Sequence, residues 1–216
     1  MNIELISKEL SHLSSLSILI PFILLLMKIK AFNSQLNALL VYIISSILTE
    51  IVGLCFLNND NINLPVYYLF TILETTLISY IFIKEIKEKH YISFLIIGII
   101  IFLITSTFGL LWHKSFFHAD NFLRPFEFAL ILIYSLVFFY KTILNLNIKD
   151  ILNYYFFWFN SAFLIYFGTS FIFFLLLPYV AKENKYFINI LGIFHLVMSI
   201  IYNILLSIGI WKIKKD

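Results

Sequence analysis

The amino-acid sequence predicts an all-α integral membrane protein, a bundle of seven transmembrane helices. The composition is 62% hydrophobic and 12% charged, whereas about a quarter of the residues in a soluble domain are charged. Seven apolar stretches fill nearly the whole chain, and each is close to the roughly 20 residues that cross a bilayer as a helix. The joints between them leave no room for a soluble domain, so we expect a single domain over residues 1–216.

The seven spans differ in the strength of the sequence signal that predicts them. The first is the weakest, because serines dilute its outer half, and Pro21 inside it should kink the helix or free a backbone carbonyl. The third begins at Pro65, where a helix tolerates proline, and the fourth has no ionisable residue within the hydrocarbon. Pro125 opens the fifth span and Pro178 closes the sixth. In chain order the spans are predicted at residues 10–27, 35–57, 64–84, 91–112, 122–142, 154–178 and 187–211.

Lysine placement predicts the orientation. Ten of the Lys and Arg residues fall in connections on one side of the membrane and five on the other. The positive-inside rule assigns the richer side to the cytoplasm, so the N-terminus is predicted outside and the C-terminus inside. We expect a multi-pass protein of the bacterial inner membrane, with the lipid bilayer as its main partner. The net charge of +3 follows from the lysine bias, and we expect no nucleic-acid partner.

Four ionisable side chains lie deep within the predicted spans, namely Glu50, Glu74, Glu127 and His195. Burying such a group costs about 2.5–3.5 kcal/mol on insertion scales, so each is a candidate for function. Counted from the outer helix ends, all four fall in the outer half of the membrane. If helices two, three, five and seven are neighbours, these residues line one polar pocket that opens to the outside and accepts a small-molecule ligand.

Helical periodicity adds further polar side chains to these faces. Ser46 precedes Glu50 by one turn, Thr71 precedes Glu74, and Ser199 follows His195. Asn160 comes from helix six. Hydroxyl and amide side chains also hold helices together in lipid, so both interpretations stay open for these residues.

The four ionisable residues also differ in their expected roles. Glu50 and Glu74 have no Lys or Arg at their depth, so each is either protonated or faces water or a ligand. Glu127 has Arg124 one turn away, which favours a structural ion pair. His195 is interpreted as a hydrogen-bonded core histidine rather than a metal ligand. The single cysteine rules out a cysteine-based zinc site, and no metal, cofactor or catalytic residue is predicted.

Three function classes fit this pattern. Ligand sensing or signalling without catalysis is favoured, with a cytoplasmic or membrane protein partner reading the change at the basic inner connections. The alternative is a small transporter, because seven helices with the N-terminus outside is the layout of small sugar transporters built as three-plus-one-plus-three repeats. The third is an intramembrane metal-dependent hydrolase. Seven-helix zinc hydrolases of the ceramidase and adiponectin-receptor kind are similar in helix number, but they use several histidines and here His195 is followed by Ser199 at i+4.

Several segments carry a further resemblance. They are YYLFTILE at 67–74, LRPFE at 123–127, FWFNS at 157–161 with the stretch to Gly168, and the last helix from His195 to Lys212. Together they look like a family of uncharacterised bacterial seven-helix membrane proteins. The resemblance would cover nearly the whole chain and implies that Glu74, Glu127, Asn160 and His195 belong to a recurring pattern. It implies no activity.

Overall fold

The structure of the chain is a computed structural model that describes residues 3–28, 33–56, 60–113, 116–145, 150–180 and 185–213. Within these ranges the chain is helical and no strand occurs. Seven segments are long and apolar enough to cross a membrane, which confirms the predicted all-α class and the number of spans. The helices are α1 (Ile3–Ser17), α2 (Leu19–Met27), α3 (Ser34–Cys55), α4 (Asp60–Glu85), α5 (Lys89–His113), α6 (Phe116–Asn145), a short 3-10 helix (Ile151–Asn153), α7 (Tyr155–Val180) and α8 (Lys185–Lys212).

The helices extend beyond several predicted spans. The apolar part of the first span begins at Leu5 instead of residue 10. Helix α4 begins at Asp60 and α6 at Phe116, so Pro65 and Pro125 lie inside their helices rather than at the start, which the sequence did not predict. Hydropathy reports only the hydrocarbon-embedded part of a helix, whereas the main-chain hydrogen bonds continue past the membrane surface.

Pro21 interrupts the first span. Helix α1 ends at Ser17 and α2 begins at Leu19, with Ile18 between them. Proline has no N–H, so the carbonyl of Ser17 lacks the donor that would normally lie four residues later. The ladder resumes with the bond from Phe22 N to Ile18 O, at 3.3 Å. Ile18 keeps helical backbone angles, with φ −65° and ψ −21°, so the interruption is the loss of one main-chain hydrogen bond, and the predicted kink stays a prediction.

The chain divides into two compact units. The first unit comprises Met1–Ala31 and Ser135–Asp216, and the second comprises Phe32–Tyr134. Several of the lysines that predict the orientation lie outside the described residues: Lys30, Lys114, Lys149, Lys182, Lys214 and Lys215. The orientation of the termini stays a prediction.

In the first unit, α8 packs against α7, α1 and α2. Aromatic rings fill the contact between α7 and α8, where Phe163 and Tyr202 have ring centroids 6.2 Å apart. At one end of the unit, Nζ of Lys28 donates to the carbonyl of Ile213 at 2.5 Å. The last carbonyls of a helix have no main-chain donors, and the Lys28 ammonium supplies a donor at the C-terminal end of α8. This hydrogen bond therefore links the first span to the last.

In the second unit, α3 and α5 pack on α4. The hydroxyl of Tyr134, which is 0% exposed, donates to the carbonyl of Leu95 at 2.7 Å. A Cβ atom added to Gly98 would lie 2.3 Å from that hydroxyl, so a glycine is needed where the phenol crosses α5. At the helix ends, Gln35 Nε2 donates to Glu85 Oε2 at 2.8 Å. These bonds couple helices through side-chain donors, with a main-chain acceptor at Leu95 and a carboxylate acceptor at Glu85.

The outer faces of both units are apolar. Ile104 of α5 is 60% exposed and Leu136 of α6 is 53% exposed, and many other large aliphatic side chains are similarly uncovered. A soluble protein rarely exposes so large an apolar surface. Together with the seven long apolar helices, this surface identifies an integral membrane protein that spans the bilayer several times.

Replacing Gly209 by alanine should destabilise the first unit. A Cβ atom there would lie 2.5 Å from two ring carbons of Phe159 and 3.1 Å from the main-chain oxygen of Tyr155. Overpacking of this kind costs about 1–3 kcal/mol. Gly192 lies on the same helix, and no described atom is within 4 Å of a Cβ built there. Gly192→Ala should therefore stabilise the helix by up to about 1 kcal/mol.

Unfolding of both variants in mixed micelles, followed by circular dichroism during a denaturant titration, measures the difference. Equal effects of Gly209→Ala and Gly192→Ala would show that the close contact between α7 and α8 does not limit stability.

Candidate functional site

Two buried carboxyl groups from different helices meet in the second unit. Glu74 of α4 is 6% exposed and Glu127 of α6 is 0% exposed. Their side chains lie close enough to interact with each other. We call Glu74, Glu127 and the side chains that contact them, Thr75, Tyr42 and Arg124, the carboxyl cluster.

Hydroxyl groups surround the pair. Thr75 Oγ1 lies 2.8 Å from Glu127 Oε1 and also 2.8 Å from the main-chain oxygen of Thr71, so it links the carboxyl to its own helix. The hydroxyl of Tyr42, from α3, also interacts with Glu74. Thr71, Glu74 and Thr75 share one face of α4 because they are spaced three and four residues apart. Three helices therefore contribute to one polar cluster.

Arg124 provides the positive charge of this region. Its guanidinium lies 5.9 Å from the ring centroid of Tyr67 and interacts electrostatically with Glu74. Arg124 therefore acts on Glu74 from another helix, and the expectation that no Lys or Arg lies at the depth of Glu74 stays a prediction. The predicted ion pair between Arg124 and Glu127 stays a prediction.

The remaining predicted residues of the second unit surround the cluster less closely. Glu50 is exposed on α3 and interacts electrostatically with Tyr67. Ser46, one turn earlier, is half-buried. Thr71 is fully buried, and its hydroxyl donates to the main-chain oxygen of Tyr67 at 3.0 Å. Among these side chains, Thr71 is fully buried, whereas Glu50 lies on the surface of the unit.

The predicted residues of the last two helices belong to the first unit. His195 is half-buried, with Nδ1 3.4 Å from the hydroxyl of Ser170 and its ring stacked on Phe173 at a centroid distance of 5.0 Å. Ser199 is half-buried one turn away. Asn160 is 0% exposed, and its Nδ2 donates to the main-chain oxygen of Ser135 at 3.2 Å. His195 therefore has a hydrogen-bonded, aromatic environment of its own.

The structure brings together part of the predicted site. Glu74 and Glu127 interact with each other, and both belong to the second unit with Glu50, whereas His195 belongs to the first. One pocket lined by all four residues stays a prediction. Across the described residues, no group of three or more His, Cys, Asp or Glu side chains is arranged to hold a metal ion.

The sequence reasoning missed a second polar cluster, in the first unit. Asn203 Nδ2 donates to Ser17 Oγ at 2.7 Å, and Ser17 Oγ donates to the main-chain oxygen of Ser14 at 2.6 Å. Two serines spaced three residues apart, just before Pro21, were the available signal. The sequence analysis interprets these serines only as lowering the hydropathy of the first span. Hydropathy does not report whether a serine hydroxyl is hydrogen-bonded to a side chain on another helix.

Comparisons with known proteins add no identification. No family model, no curated protein and no solved structure matches the chain. The resemblance to uncharacterised bacterial seven-helix proteins therefore stays a prediction, and the argument for function depends on the geometry of the buried polar groups.

Replacing Glu127 by glutamine should lower the stability of the protein less than replacing it by alanine. Glu127→Gln retains an oxygen that accepts from Thr75, whereas Glu127→Ala removes this hydrogen bond and the contact with Glu74 and leaves a cavity where the side chain was buried. A hydrogen bond contributes about 0.5–1.5 kcal/mol to stability, and the cavity adds to the loss, so the alanine variant should lose at least about 1 kcal/mol of stability and the glutamine variant clearly less.

Thermal unfolding of the two variants in nanodiscs measures this difference. If both variants unfold at the temperature of the parent protein, the carboxyl of Glu127 makes no net contribution to the stability of the second unit.

Proposed function

We propose that this membrane protein senses a small polar ligand at the carboxyl cluster and performs no catalysis. The proposal depends on one observation, namely that two buried carboxyl groups, Glu74 and Glu127, interact with each other on helices long and apolar enough to span a membrane. Ionisable groups at membrane depth are costly, and they commonly mark a functional site. A purely structural role needs only one hydrogen bond between helices, and Thr or Asn side chains would provide it at lower cost.

The chemistry of the cluster favours a ligand that donates hydrogen bonds. Two carboxyl groups and the hydroxyls of Thr75 and Tyr42 provide several acceptor oxygens, whereas Arg124 is the single cation among the described side chains that act on Glu74. A primary amine carries a positive charge and three donors, which matches this set. We therefore infer a small amine-bearing ligand as the class that the cluster would bind.

The direction of signalling follows from the predicted orientation. Glu74 and Glu127 would lie in the outer half of the membrane, and the lysine-rich connections would face the cytoplasm. A ligand would then enter from the outside. A cytoplasmic or membrane protein partner would read the resulting change in helix packing at the inner connections, because the seven spans leave no room for an output domain between them.

A small transporter is the second candidate, and the interrupted first span favours it. Transporters commonly place binding sites where main-chain carbonyls of a spanning helix are free, and here Pro21 removes one main-chain hydrogen bond from the first span. The compact units do not follow a three-plus-one-plus-three layout, because the first span is grouped with the last two spans rather than with the second and third. Uptake of labelled amines into proteoliposomes separates a transporter from a sensor.

An intramembrane hydrolase gains no comparable support. Such an enzyme would hold its metal with several clustered ligands. The described residues bring no three metal-ligating side chains together, and His195 contacts Ser170 and aromatic rings. A metal analysis of the purified protein tests this alternative, since a stoichiometric metal would favour the hydrolase.

Glu74→Gln should abolish ligand binding while leaving the protein folded. The glutamine retains the shape of the side chain but removes the negative charge that an amine requires. The matched control is Glu85→Gln on the same helix, because Glu85 lies at the helix end and is hydrogen-bonded to Gln35. Native mass spectrometry of each protein released from nanodiscs, with a panel of primary amines added, measures the bound mass.

The parent protein and the Glu85 variant should retain one amine per chain, and the Glu74 variant should lose it. Retention by the Glu74 variant would remove the carboxyl cluster as the binding site. Failure of the Glu74 variant to fold would assign the residue a structural role.

The single cysteine provides a test of the orientation. Cys55 is exposed at the end of α3 that is predicted to face outside. A membrane-impermeant maleimide should therefore label Cys55 in intact cells. A Cys55→Ser, Lys87→Cys variant places the only thiol on the opposite side and should react only after lysis. The reverse pattern would show that the N-terminus is cytoplasmic.

A further inference from the structure

The connection between α4 and α5 has a charge distribution that the sequence alone does not show. Residues 84–89 read KEIKEK, in which the two signs of charge alternate. In the structure α4 ends at Glu85 and α5 begins at Lys89, so this run turns the chain at one end of the second unit. Ile86 anchors the turn, because its side chain is 1% exposed and its N–H donates to the carbonyl of Phe82 at 3.0 Å.

The two acidic side chains of the run are directed toward the protein. Glu85 is half-buried, and its Oε2 accepts from Nε2 of Gln35, a buried residue of α3, at 2.8 Å. Glu88 is also half-buried, and its Oε2 is inaccessible to solvent. Glu88 directly precedes α5, where the positive end of the helix dipole favours a carboxylate. Both negative charges are therefore partly covered by the second unit.

The basic side chains of the same run are exposed. They are Lys84, Lys87 and Lys89, and His90 beside them is exposed as well. Nζ of Lys84 lies 5.3 Å from the ring centroid of Tyr80, one turn earlier on α4. Tyrosine rings and extended lysine side chains are typical of the level at which hydrocarbon meets the lipid headgroups. We call Lys84, Lys87 and Lys89 the basic tip.

A row of uncovered apolar side chains begins beside the basic tip and continues along α5. The row, which we call the apolar stripe, consists of residues between 46% and 60% exposed, namely Phe94, Ile97, Ile101 and Ile104. Their spacing of three, four and three residues places them on one face of the helix, and His90 lies on that face one turn before Phe94. Cations at one end of an apolar stripe match an amphiphile with an anionic headgroup and apolar chains.

We propose that the basic tip and the apolar stripe bind an anionic phospholipid, with its phosphate at the lysines and an acyl chain along α5. Lysines close to the membrane surface attract anionic lipids. A zwitterionic lipid has the same phosphate but also a cationic group, which the three lysines would repel. A soluble acidic protein could reach the lysines, but it could not follow the apolar stripe into the hydrocarbon. The site depends neither on the proposed function nor on the predicted orientation.

Native mass spectrometry of the full chain tests the lipid preference. The protein in detergent micelles is titrated with dioleoylphosphatidylglycerol or with dioleoylphosphatidylcholine, which have the same acyl chains, and the bound lipids are counted. The first phosphatidylglycerol should bind more tightly than the first phosphatidylcholine. This preference should fall as ammonium acetate is raised, because salt screens exposed charges. Equal affinities, or a preference that salt does not change, would overturn the proposal.

A competitor without acyl chains separates a lipid site from a phosphate site. Glycerol phosphate carries the anionic group of the lipid but has nothing to place on the apolar stripe. It should therefore fail to displace the bound phosphatidylglycerol at equal concentration. Displacement would show that the lysines bind phosphate without the stripe, and it would overturn the assignment to a lipid.

Variants of the three lysines locate the site. A triple Lys→Gln variant at positions 84, 87 and 89 should lose the preference, whereas the matched triple Lys→Arg variant keeps the charge and should keep the preference. Each lysine near an anionic surface contributes about fivefold to binding, so each single Lys→Gln variant should lose up to about fivefold. These single variants decide if the triple variant does not fold.

Lys8→Gln is the control for position, because it removes an exposed lysine of α1 outside the basic tip. It should leave the preference unchanged. A preference that survives in all the Lys→Gln variants of the basic tip would place the lipid elsewhere and overturn the proposal.

Discussion

The structure depends on one constraint, which is that polar groups inside hydrocarbon must find partners within the protein. Helices satisfy the main chain, and the absence of strands in the described ranges agrees with that solution. The same constraint governs side chains. Most hydroxyls on the spans bond to their own helix, as Thr142 does to the carbonyl of Phe138 at 2.9 Å. Such residues lower hydropathy, but they need no neighbour and specify no tertiary contact.

The exceptions are the groups that cannot be satisfied by their own helix. A carboxyl side chain needs donors, and the helix interior offers none because every N–H is already used. Glu74 and Glu127 are therefore paired with each other and with Thr75 and Tyr42, which brings three helices together. Asn203 similarly reaches Ser17 on another helix. At these two places, the contacts that give polar side chains their partners are therefore also the contacts that hold helices together.

Packing of the helices depends on shape more than on hydrophobicity, because lipid is as apolar as the side chains it replaces. Glycine allows close approach at three positions where a ring or phenol crosses a helix. Gly53 is covered by Tyr67, Gly98 by Tyr134 and Gly209 by Phe159. A Cβ atom at any of these positions would lie 2.5 Å or less from the aromatic side chain. The aromatic content of 19% therefore contributes to helix contacts as well as to the lipid-facing surface.

The sequence by itself determined the number, order and approximate extent of the spans, because hydropathy is a property of each segment alone. It also identified Glu74 and Glu127 as candidate site residues, since a carboxyl group within an apolar span is costly whatever its neighbours are. Pro21 likewise predicted, from local chemistry, a main-chain carbonyl without its helical donor in the first span.

Only the tertiary structure decided which polar groups meet. It paired Glu74 with Glu127, brought Arg124 close enough to act on Glu74, and left Glu50 on the surface of its unit. It also joined Ser17 to Asn203, two residues separated by nearly the whole chain. Helical periodicity assigns a residue to a face, but helices in lipid have no hydrophobic preference for one neighbour over another. The choice of neighbour therefore depends on side-chain shape and hydrogen bonds between segments far apart in sequence.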